Sequence, residues 1–419
     1  MTPEVKQRIE QIRQGIVPEG YKKTKSDIVP ADWKESPIGE YIREYTEKTT
    51  IPNQYPVLTS ARTGLMLQTD YYSNRQVTTE DNVGYNVLPY GYITFRSRSD
   101  DGRFRFNENR IIERGIISYF YPVFSFSEEV CHEYVLYLLN FSIYRRMYPY
   151  AEGTAQQVLS LKKLGQLKYS LPLVAEQKKI AKILATQDRA IELQERKIEE
   201  LKRFKKGCLE KMFPRKGQKV PETRFPGFTG DWEQRKAKEL FVSTADKGYP
   251  ELPVLSATQD RGMIRRDENG INIFHDKKNE AGYKRVLPGQ FVIHLRSFQG
   301  GFAHSAIEGI TSPAYTVFGF SEPEKHDSEY WKYVFTSKSF IQRLETVTYG
   351  IRDGRSISYE EFLTLGFVYP SKAEQTAIAR YLDKLSDLIT LHQRKLEEMK
   401  RQKKALMQLL LTGIVRVKA

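Results

Sequence analysis

The sequence feature that most constrains this chain is a long segment that it contains twice. Residues 175–213 recur as residues 373–411, and the two copies align without a gap at an offset of 198 positions. Ala175-Glu176-Gln177, for example, falls on Ala373-Glu374-Gln375. A repeat at about half the chain length indicates two copies of one module. We therefore expect an internally duplicated fold.

Both segments are predicted to form long amphipathic helices. Their apolar residues recur at spacings of three and four, the pattern of a helix that buries one stripe. About 38 residues at roughly 1.5 Å each give a rod of roughly 57 Å. Each apolar stripe would be buried most simply against the other copy. An ordinary pair of core helices would show the same pattern. The stripe residues expected to join the helices as a spacer are Ile180, Leu184, Ile191, Ile198, Leu201, Leu382, Ile389, Leu396 and Met399.

The net charge of +14 over 419 residues points to a polyanionic partner. Residues 175–215 carry +5 and residues 371–419 carry +6, so the helical segments hold most of the excess. Their basic runs lie towards the helix C-termini, where cations suit the helix dipole, and we expect that role to explain most of them. The rest of the chain must therefore rely on local basic patches to contact a polyanion.

Composition also predicts the compartment. The N-terminus lacks the apolar core of a signal peptide, and no 18-residue apolar run occurs in the chain. Cys131 and Cys208 cannot form a disulfide framework, and no metal-ligand spacing surrounds them. We expect a cytoplasmic, reduced protein that has no membrane partner and no metal site.

The duplicated helices divide the chain into five predicted parts. These are an N-terminal helix and linker (1–30), a first head (31–170), a central helix (171–215), a linker with a second head (216–370) and a C-terminal helix (371–419). Both heads mix strand-like and helix-like segments, which predicts an α+β fold. The second head repeats the first weakly, as PVLSA and PVLTS show, while its loops have diverged. Two heads of one fold with different loops favour contacts with two different targets.

Sequence motifs for catalysis were sought and are missing. The chain has no G-x-x-x-x-G-K-[ST] phosphate loop, no H-E-x-x-H and no paired C-x-x-C. It also lacks the Asn/Asp-Pro-Pro-aromatic tetrapeptide associated with methylation of amino groups on bases. The F-x-G-x-x-G pattern in FPGFTG lies in a Pro-rich linker and does not follow a strand. We therefore expect no catalytic residues, and binding is the chemistry that remains.

Arginines interleaved with phenylalanines are the main candidates for binding. In ITFRSRSDDGRFRF a hairpin would bury the aromatic residues on one face and present guanidinium groups on the other. Arginine matches both phosphates and the O6/N7 edge of guanine, although a solvated surface charge is an equally good interpretation of any one of them. The candidates are Arg96, Arg98, Arg103 and Arg105 in the first head and Arg265, Arg266, Arg296, Arg352 and Arg355 in the second. Arg96 and Arg296 are predicted to be equivalent.

These features together resemble the specificity subunit of Type I restriction–modification systems. The resemblance rests on the two heads, the duplicated A-E-Q-x-x-I-A helix followed by R-K-x-E-E, and the joint FPGFTGDW before the second head. It covers essentially the whole chain. It implies two target-recognition domains separated by an antiparallel coiled coil, in a circular pseudo-twofold arrangement where the N-terminal segment packs near the C-terminal repeat. It also implies that the loop holding Thr154 and Gln156 approaches DNA.

The resemblance further implies a non-catalytic reader of double-stranded DNA. Each head would recognise one half of a split, asymmetric target, and the helix pair would set the gap between the halves. Two methylation subunits would dock on the chain and bring S-adenosylmethionine, and restriction subunits would bring ATP and Mg²⁺. No cofactor is expected in this chain itself.

Two alternatives stay open at the level of sequence. One is a two-headed interaction scaffold on a coiled coil that binds proteins without sequence-specific DNA binding. The other is an enzyme that acts alone on DNA, which the missing motifs disfavour. A steep fall of DNA affinity with salt would separate the DNA reader from the scaffold.

Overall fold

The computed structural model places most of the chain. The residues that it describes are 2–25, 27–72, 81–147, 157–215, 217–258, 261–269, 277–294, 301–345 and 358–417. They form two compact units. Unit 1 comprises residues 1–194 and 395–419, and unit 2 comprises residues 195–394. Thr154, Gln156, Arg296, Arg352 and Arg355 lie outside the described residues.

Unit 1 holds the first head. Its helices are α1 (Pro3–Arg13), α2 (Gln68–Tyr71), α3 (His132–Met147), α4 (Leu161–Gln166) and the first part of α5 (Val174–Lys211). Its strands are β1 (Tyr21–Lys23), β2 (Ile28–Pro30), β3 (Lys34–Pro37), β4 (Ile42–Glu44), β5 (Leu58–Ala61), β6 (Gly64–Leu67), β7 (Asn86–Pro89), β8 (Ile93–Phe95), β9 (Arg98–Ser99), β10 (Phe106–Glu108), β11 (Arg114–Ile117), β12 (Val123–Phe126), β13 (Gln157–Val158) and β14 (Lys168–Leu171).

Unit 2 holds the second head. Its helices are the remainder of α5, α6 (Ala237–Leu240), α7 (Ser328–Thr336), α8 (Lys338–Glu345), α9 (Tyr359–Leu363) and the first part of α10 (Lys372–Leu411). Its strands are β15 (Glu233–Lys236), β16 (Phe241–Thr244), β17 (Leu255–Thr258), β18 (Gly262–Arg265), β19 (Lys284–Val286), β20 (Phe291–Ile293), β21 (Phe302–His304), β22 (Gly309–Thr311), β23 (Thr316–Phe320) and β24 (Gly366–Tyr369). The predicted α+β class is confirmed.

Each head is built on a four-stranded antiparallel sheet. The order is β10-β8-β12-β4 in unit 1 and β21-β20-β23-β16 in unit 2. In unit 1 the rings of Phe95, Phe106 and Phe124 are fully buried and pack within 4.8 to 6.5 Å of one another. They share their core with α3 and the first turns of α5. The sheet thus fastens each head to its long helices.

The strand registers show that the two heads repeat one framework. Phe95 lies opposite Phe106 in unit 1, and Ile293 lies opposite Phe302 in unit 2. The turn before the second strand of each sheet has a glycine with a positive φ, +81° at Gly91 in one head. That conformation suits glycine, which has no Cβ. Strands β8 and β20 are related by the same 198 positions as the long helices, since Phe95 corresponds to Ile293.

The two heads differ in the helix that follows the sheet. In unit 1 it is the single helix α3, whereas in unit 2 it is broken into α7 and α8 at Ser337. The sequence predicts a helix over 129–147 in the first head, and the structure begins it at His132.

The predicted long helices are confirmed, and they pair antiparallel within unit 1. Near its beginning, α5 shares a core with the end of α10, through Ile180 and Leu410. Further along α5, the Gln187 side-chain amide donates to the carbonyl of Met399, which lies earlier on α10 (3.1 Å). As the residue number increases along α5, the number of the residue that it contacts on α10 decreases. The two helices therefore run antiparallel.

The same antiparallel pairing occurs within unit 2. Phe213, just beyond the end of α5, shares a core with Ile378 near the beginning of α10. Earlier on α5, the Lys205 ammonium donates to the hydroxyl of Ser386, further along α10 (2.7 Å). Each unit thus carries its own antiparallel segment of the helix pair.

The predicted packing of the N-terminal segment against the C-terminal repeat is also confirmed, within unit 1. Helix α1 begins where the Thr2 side chain accepts from the backbone of Val5. From it, Arg8 donates to the carbonyl of Ile414 (2.6 Å). The hydroxyl of Tyr21 donates to the carbonyl of Gly413 (2.7 Å).

Candidate nucleic-acid interface

The arginine-rich segment of the first head shows the predicted alternation. Phe95, Phe104 and Phe106 are buried, and the arginines between and beside them are exposed. Pairing of β8 with β10 brings the rings of Phe95 and Phe106 to 4.8 Å. Aromatic burial therefore anchors this edge of the head and leaves its guanidinium groups at the surface.

Arg98 lies beside the exposed Phe120, and Arg96 lies near the half-buried Tyr121. The guanidinium carbon of Arg98 is 4.9 Å from the centre of the Phe120 ring, within cation–π range. Arg98 is held in β9, opposite Val158 in β13. Arg96 acts on the phenol of Tyr121: burial raises the pKa of Tyr121, and the Arg96 charge lowers it in part. Cations and aromatic rings thus share one surface.

The other two arginines of this segment have acidic neighbours. Arg103 lies over the ring of Tyr144 at 5.4 Å, with its Nε 3.9 Å from Asp101. The charge of Arg105 interacts with Asp188 on α5, while partial desolvation lowers its pKa. Acidic side chains therefore neutralise part of the charge of Arg103 and Arg105.

In the second head the structure describes two candidates, Arg265 and Arg266. Arg265 is exposed on β18 with its Nε 3.7 Å from Asp267, whereas Arg266 is half-buried at the start of a 3₁₀ helix. They adjoin each other and are not gathered with any other described candidate.

The predicted equivalence of Arg96 and Arg296 is wrong. Because Phe95 and Ile293 occupy the same register of their sheets, the residue that follows each is equivalent, which pairs Arg96 with His294. The sequence alignment slipped here because a short strand motif matches almost as well at a neighbouring register.

Two exposed residues that the sequence reasoning missed lie in the first head, Tyr119 and Phe120. They are 58% and 44% exposed, and their ring centres are 4.2 Å apart. In the sequence they stand in the run IISYFYPVFSF, which predicts a strand. The structure divides that run at a turn between β11 and β12. No periodicity distinguishes an aromatic residue in a turn from one in a strand.

The predicted spacer stripe is buried to different degrees along the two helices. On α5, Ile180, Leu184, Ile191, Ile198 and Leu201 are buried. On α10, Leu382 is buried, whereas Ile389, Leu396 and Met399 are half-buried.

The glutamine of each A-E-Q motif joins a head to its helix. Gln177 accepts from the backbone N–H of Cys131 (2.8 Å) and donates to the carbonyl of Pro172 (2.8 Å). Gln375 does the same with Asp327 (2.9 Å) and Pro370 (2.8 Å). Both glutamines are buried. The motif therefore fixes the beginning of each long helix against the head helix that packs on it.

Comparison with known proteins shows which proteins the chain is similar to. Residues 30–203 match the family model described as the Type I restriction modification DNA specificity domain. This part of the chain is similar to the Type I DNA specificity domain. The alternative of a protein-binding scaffold finds no support in these comparisons.

A curated relative of similar length supports this placement. The Type I restriction enzyme MjaVIII specificity subunit of Methanocaldococcus jannaschii is 25% identical over 430 residues, covering 96% of this chain and 97% of the relative. The match therefore extends over both heads and both helices.

Two solved structures of type I restriction-modification proteins have a similar fold. A chain from a study of complex assembly and conformational transition of the type I R-M system aligns with a TM-score of 0.55 at 15% identity, covering 92% of this chain and 99% of its own length. The S subunit of the type-I restriction-modification system from M. genitalium aligns with a TM-score of 0.52 at 14% identity, covering 94% and 99%.

The described part of the chain has neither a cluster of metal ligands nor a helix that could span a membrane. No group of three or more His, Cys, Asp or Glu side chains there is placed to hold a metal ion. Among the same residues, no helix has the length and apolar character needed to cross a bilayer.

Proposed function

We propose that this chain is a Type I specificity subunit that reads a bipartite, asymmetric sequence of double-stranded DNA, each head binding one half. The observation that carries the proposal is that two heads repeat one framework, register for register, while their surface residues differ. Arg96 of the first head is replaced by His294 in the second. The exposed pair Tyr119-Phe120, in the turn closed between Ser118 and Tyr121, is replaced by Pro313-Ala314 in the matching turn between Ser312 and Tyr315. A shared framework with different surfaces suits two modules that bind the same polymer at different sequences.

Duplex binding tests this proposal directly. The purified chain, with its partner subunits, would be used to select from a randomised duplex library, and the affinity for the selected duplex measured from 50 to 200 mM salt. We expect a split consensus and an affinity that falls steeply with salt, because Lys and Arg contacts to phosphate release counterions. Equal affinity for unrelated duplexes would contradict the proposal. It would favour the alternative, a two-headed scaffold that binds proteins.

Exchange of one head tests the assignment of half-sites. Replacing residues 31–170 with the same head of a relative should change one half of the consensus and leave the other half as it was. Loss of both halves in a protein that still folds would show that the heads do not read independently.

We also propose that the helices dock two methylation subunits. Leu193 on α5 and Leu391 on α10 are equivalent in the duplication and are 51% and 62% exposed. An exposed leucine at the same place in both copies fits two copies of one partner. Leu193→Glu or Leu391→Glu alone should leave one methylation subunit bound, and the double variant none, by native mass spectrometry. Gln393→Glu, at an exposed position of the same helix, is the control that should keep both.

In this proposal the partner subunits carry out catalysis. S-adenosylmethionine would belong to the methylation subunits, and ATP and Mg²⁺ to the restriction subunits. The absence of a phosphate loop and of the base-methylation tetrapeptide from this sequence supports that division. Methyl transfer to DNA by the chain alone, with S-adenosylmethionine added, would overturn it.

A further inference from the structure

The turn between β11 and β12 of the first head presents two aromatic side chains to solvent. The backbone N–H of Tyr121 donates to the carbonyl of Ser118 (2.9 Å), which closes the turn around Tyr119 and Phe120. Their rings pack on each other with centres 4.2 Å apart and remain 58% and 44% exposed. Aromatic rings usually bury most of their area, so an exposed pair marks a contact surface.

Neighbouring side chains fix this aromatic pair. The hydroxyl of Ser97 donates to the carbonyl of Phe120 (2.6 Å), and Tyr85 meets the ring of Tyr119 edge-on at 6.2 Å. The Arg98 guanidinium covers one side of Phe120 at 4.9 Å. Positioned rings lose little conformational entropy when they bind a partner.

The matched turn of the second head lacks the aromatic pair. There the N–H of Tyr315 donates to the carbonyl of Ser312 (3.1 Å), the same bond that closes the turn in the first head. The two residues between them are Pro313 and Ala314, both exposed. The framework therefore forms without aromatic residues at this place, so folding does not require Tyr119 and Phe120.

We propose that Tyr119 and Phe120 are an apolar contact of the first head with the bases or sugars of duplex DNA. The inference rests on the proposed function and adds the residues and the kind of contact. Thymine methyl groups, deoxyribose faces and partly unstacked base steps are the apolar surfaces that a duplex offers. The charge beside the pair fits this partner, because the Arg98 guanidinium lies 4.9 Å from the centre of the Phe120 ring and suits a phosphate beside it.

The second head supplies the variant that tests this contact. Tyr119→Pro with Phe120→Ala recreates the Pro313-Ala314 turn in the first head of the full chain. Its affinity for the duplex selected by the wild type should fall at least tenfold, with the slope of log affinity against log salt unchanged, because no phosphate contact is lost. Arg98→Ala should instead reduce that slope by about 0.9, the value for one phosphate.

The outcomes separate this inference from the proposed function. A wild-type chain that does not discriminate between duplexes defeats the proposed function itself. A selective wild type with an equally tight variant defeats only the aromatic contact. A variant that keeps its DNA affinity but loses a methylation subunit makes the turn a protein contact, which also overturns the inference.

Two controls guard against a folding artefact. The variant should unfold at the same temperature as the wild type, and the half-site read by the second head should be unchanged in a new selection. Should the proline variant fail to fold, Tyr119→Ser with Phe120→Ser gives the same test without a change at the backbone. The same tenfold loss is then expected.

Discussion

Arg416 holds the carboxylate of Glu176 with two guanidinium nitrogens, Nε at 2.9 Å and Nη2 at 2.7 Å, across 240 positions of sequence. In unit 2, Arg224 holds Glu374 in the same bidentate way, at 2.8 and 2.7 Å. Both glutamates are the second residue of an A-E-Q motif and are buried. In each unit the segment that follows one long helix thus ties down the beginning of the other.

We expect Arg416→Ala to destabilise unit 1 by about 3 kcal/mol, because removing one partner of a buried ion pair leaves an uncompensated buried charge. The variant also loses the bond from Arg416 to Asp32 (2.8 Å). Urea unfolding followed by hydrogen exchange in unit 1 measures the change. Arg189→Ala in the same unit is the control, since Arg189 and its partner Glu192 are both exposed and such pairs contribute only about 0.5 kcal/mol. An equal loss of unfolding free energy in the two variants would contradict a stabilising role of the Arg416–Glu176 ion pair.

A second prediction concerns pH and unit 2. Burial lowers the pKa of His326, which stacks on the Phe320 ring at 4.7 Å. In the unfolded chain the pKa of this histidine is about 6.5. Below that pH the unfolded chain binds a proton more readily than the folded chain does. Stability should therefore be full above about pH 6.5 and fall as the pH drops, by at most about 1.4 kcal/mol per pH unit for this group.

The first head supplies the control for that pH dependence. The residue equivalent to His326 is Val130, since each precedes the residue whose N–H binds an A-E-Q glutamine. His326→Val should reduce the loss of thermal stability between pH 7.5 and pH 5. An unchanged loss would assign it to other groups, such as His304, whose pKa burial also lowers.

A third prediction separates two neighbouring lysines at the end of the chain. The Lys403 ammonium lies 2.5 Å from the Asp188 carboxylate and 5.5 Å from the centre of the Tyr137 ring, whereas Lys404 is exposed. Lys403 therefore has specific partners in addition to the helix dipole that is expected to explain most of these basic runs. Lys403→Ala should lower the free energy of unfolding by about 1–2 kcal/mol, and Lys404→Ala by less than about 0.5 kcal/mol. Similar effects in a urea titration would contradict the assignment.

The sequence predicts those parts of the molecule that depend on local periodicity or on the duplication. The two long helices follow from stripes such as Ile180 and Leu184, and the two heads follow from the repeat. The ion pair of Arg416 with Glu176 could not be predicted, because sequence spacing carries no signal for a contact between residues so far apart. The exposure of Phe120 was hidden for another reason: a turn within an aromatic run has the same composition as a strand.

The last prediction is that the length of the helix pair sets the gap between the two DNA half-sites. One heptad added after Ile191 and one after Ile389 return each stripe to the same face, so the antiparallel packing can re-form. Each insertion lengthens its helix by roughly 10 Å, about three base pairs at 3.4 Å each. We expect the gap in the DNA consensus to grow by about that amount while both half-sites stay the same, as read by methylome sequencing. Two-residue insertions at the same places are the control, since they turn the stripe by about 200° and should abolish binding. A consensus with the original gap in a folded heptad variant would show that the helices do not set the spacing.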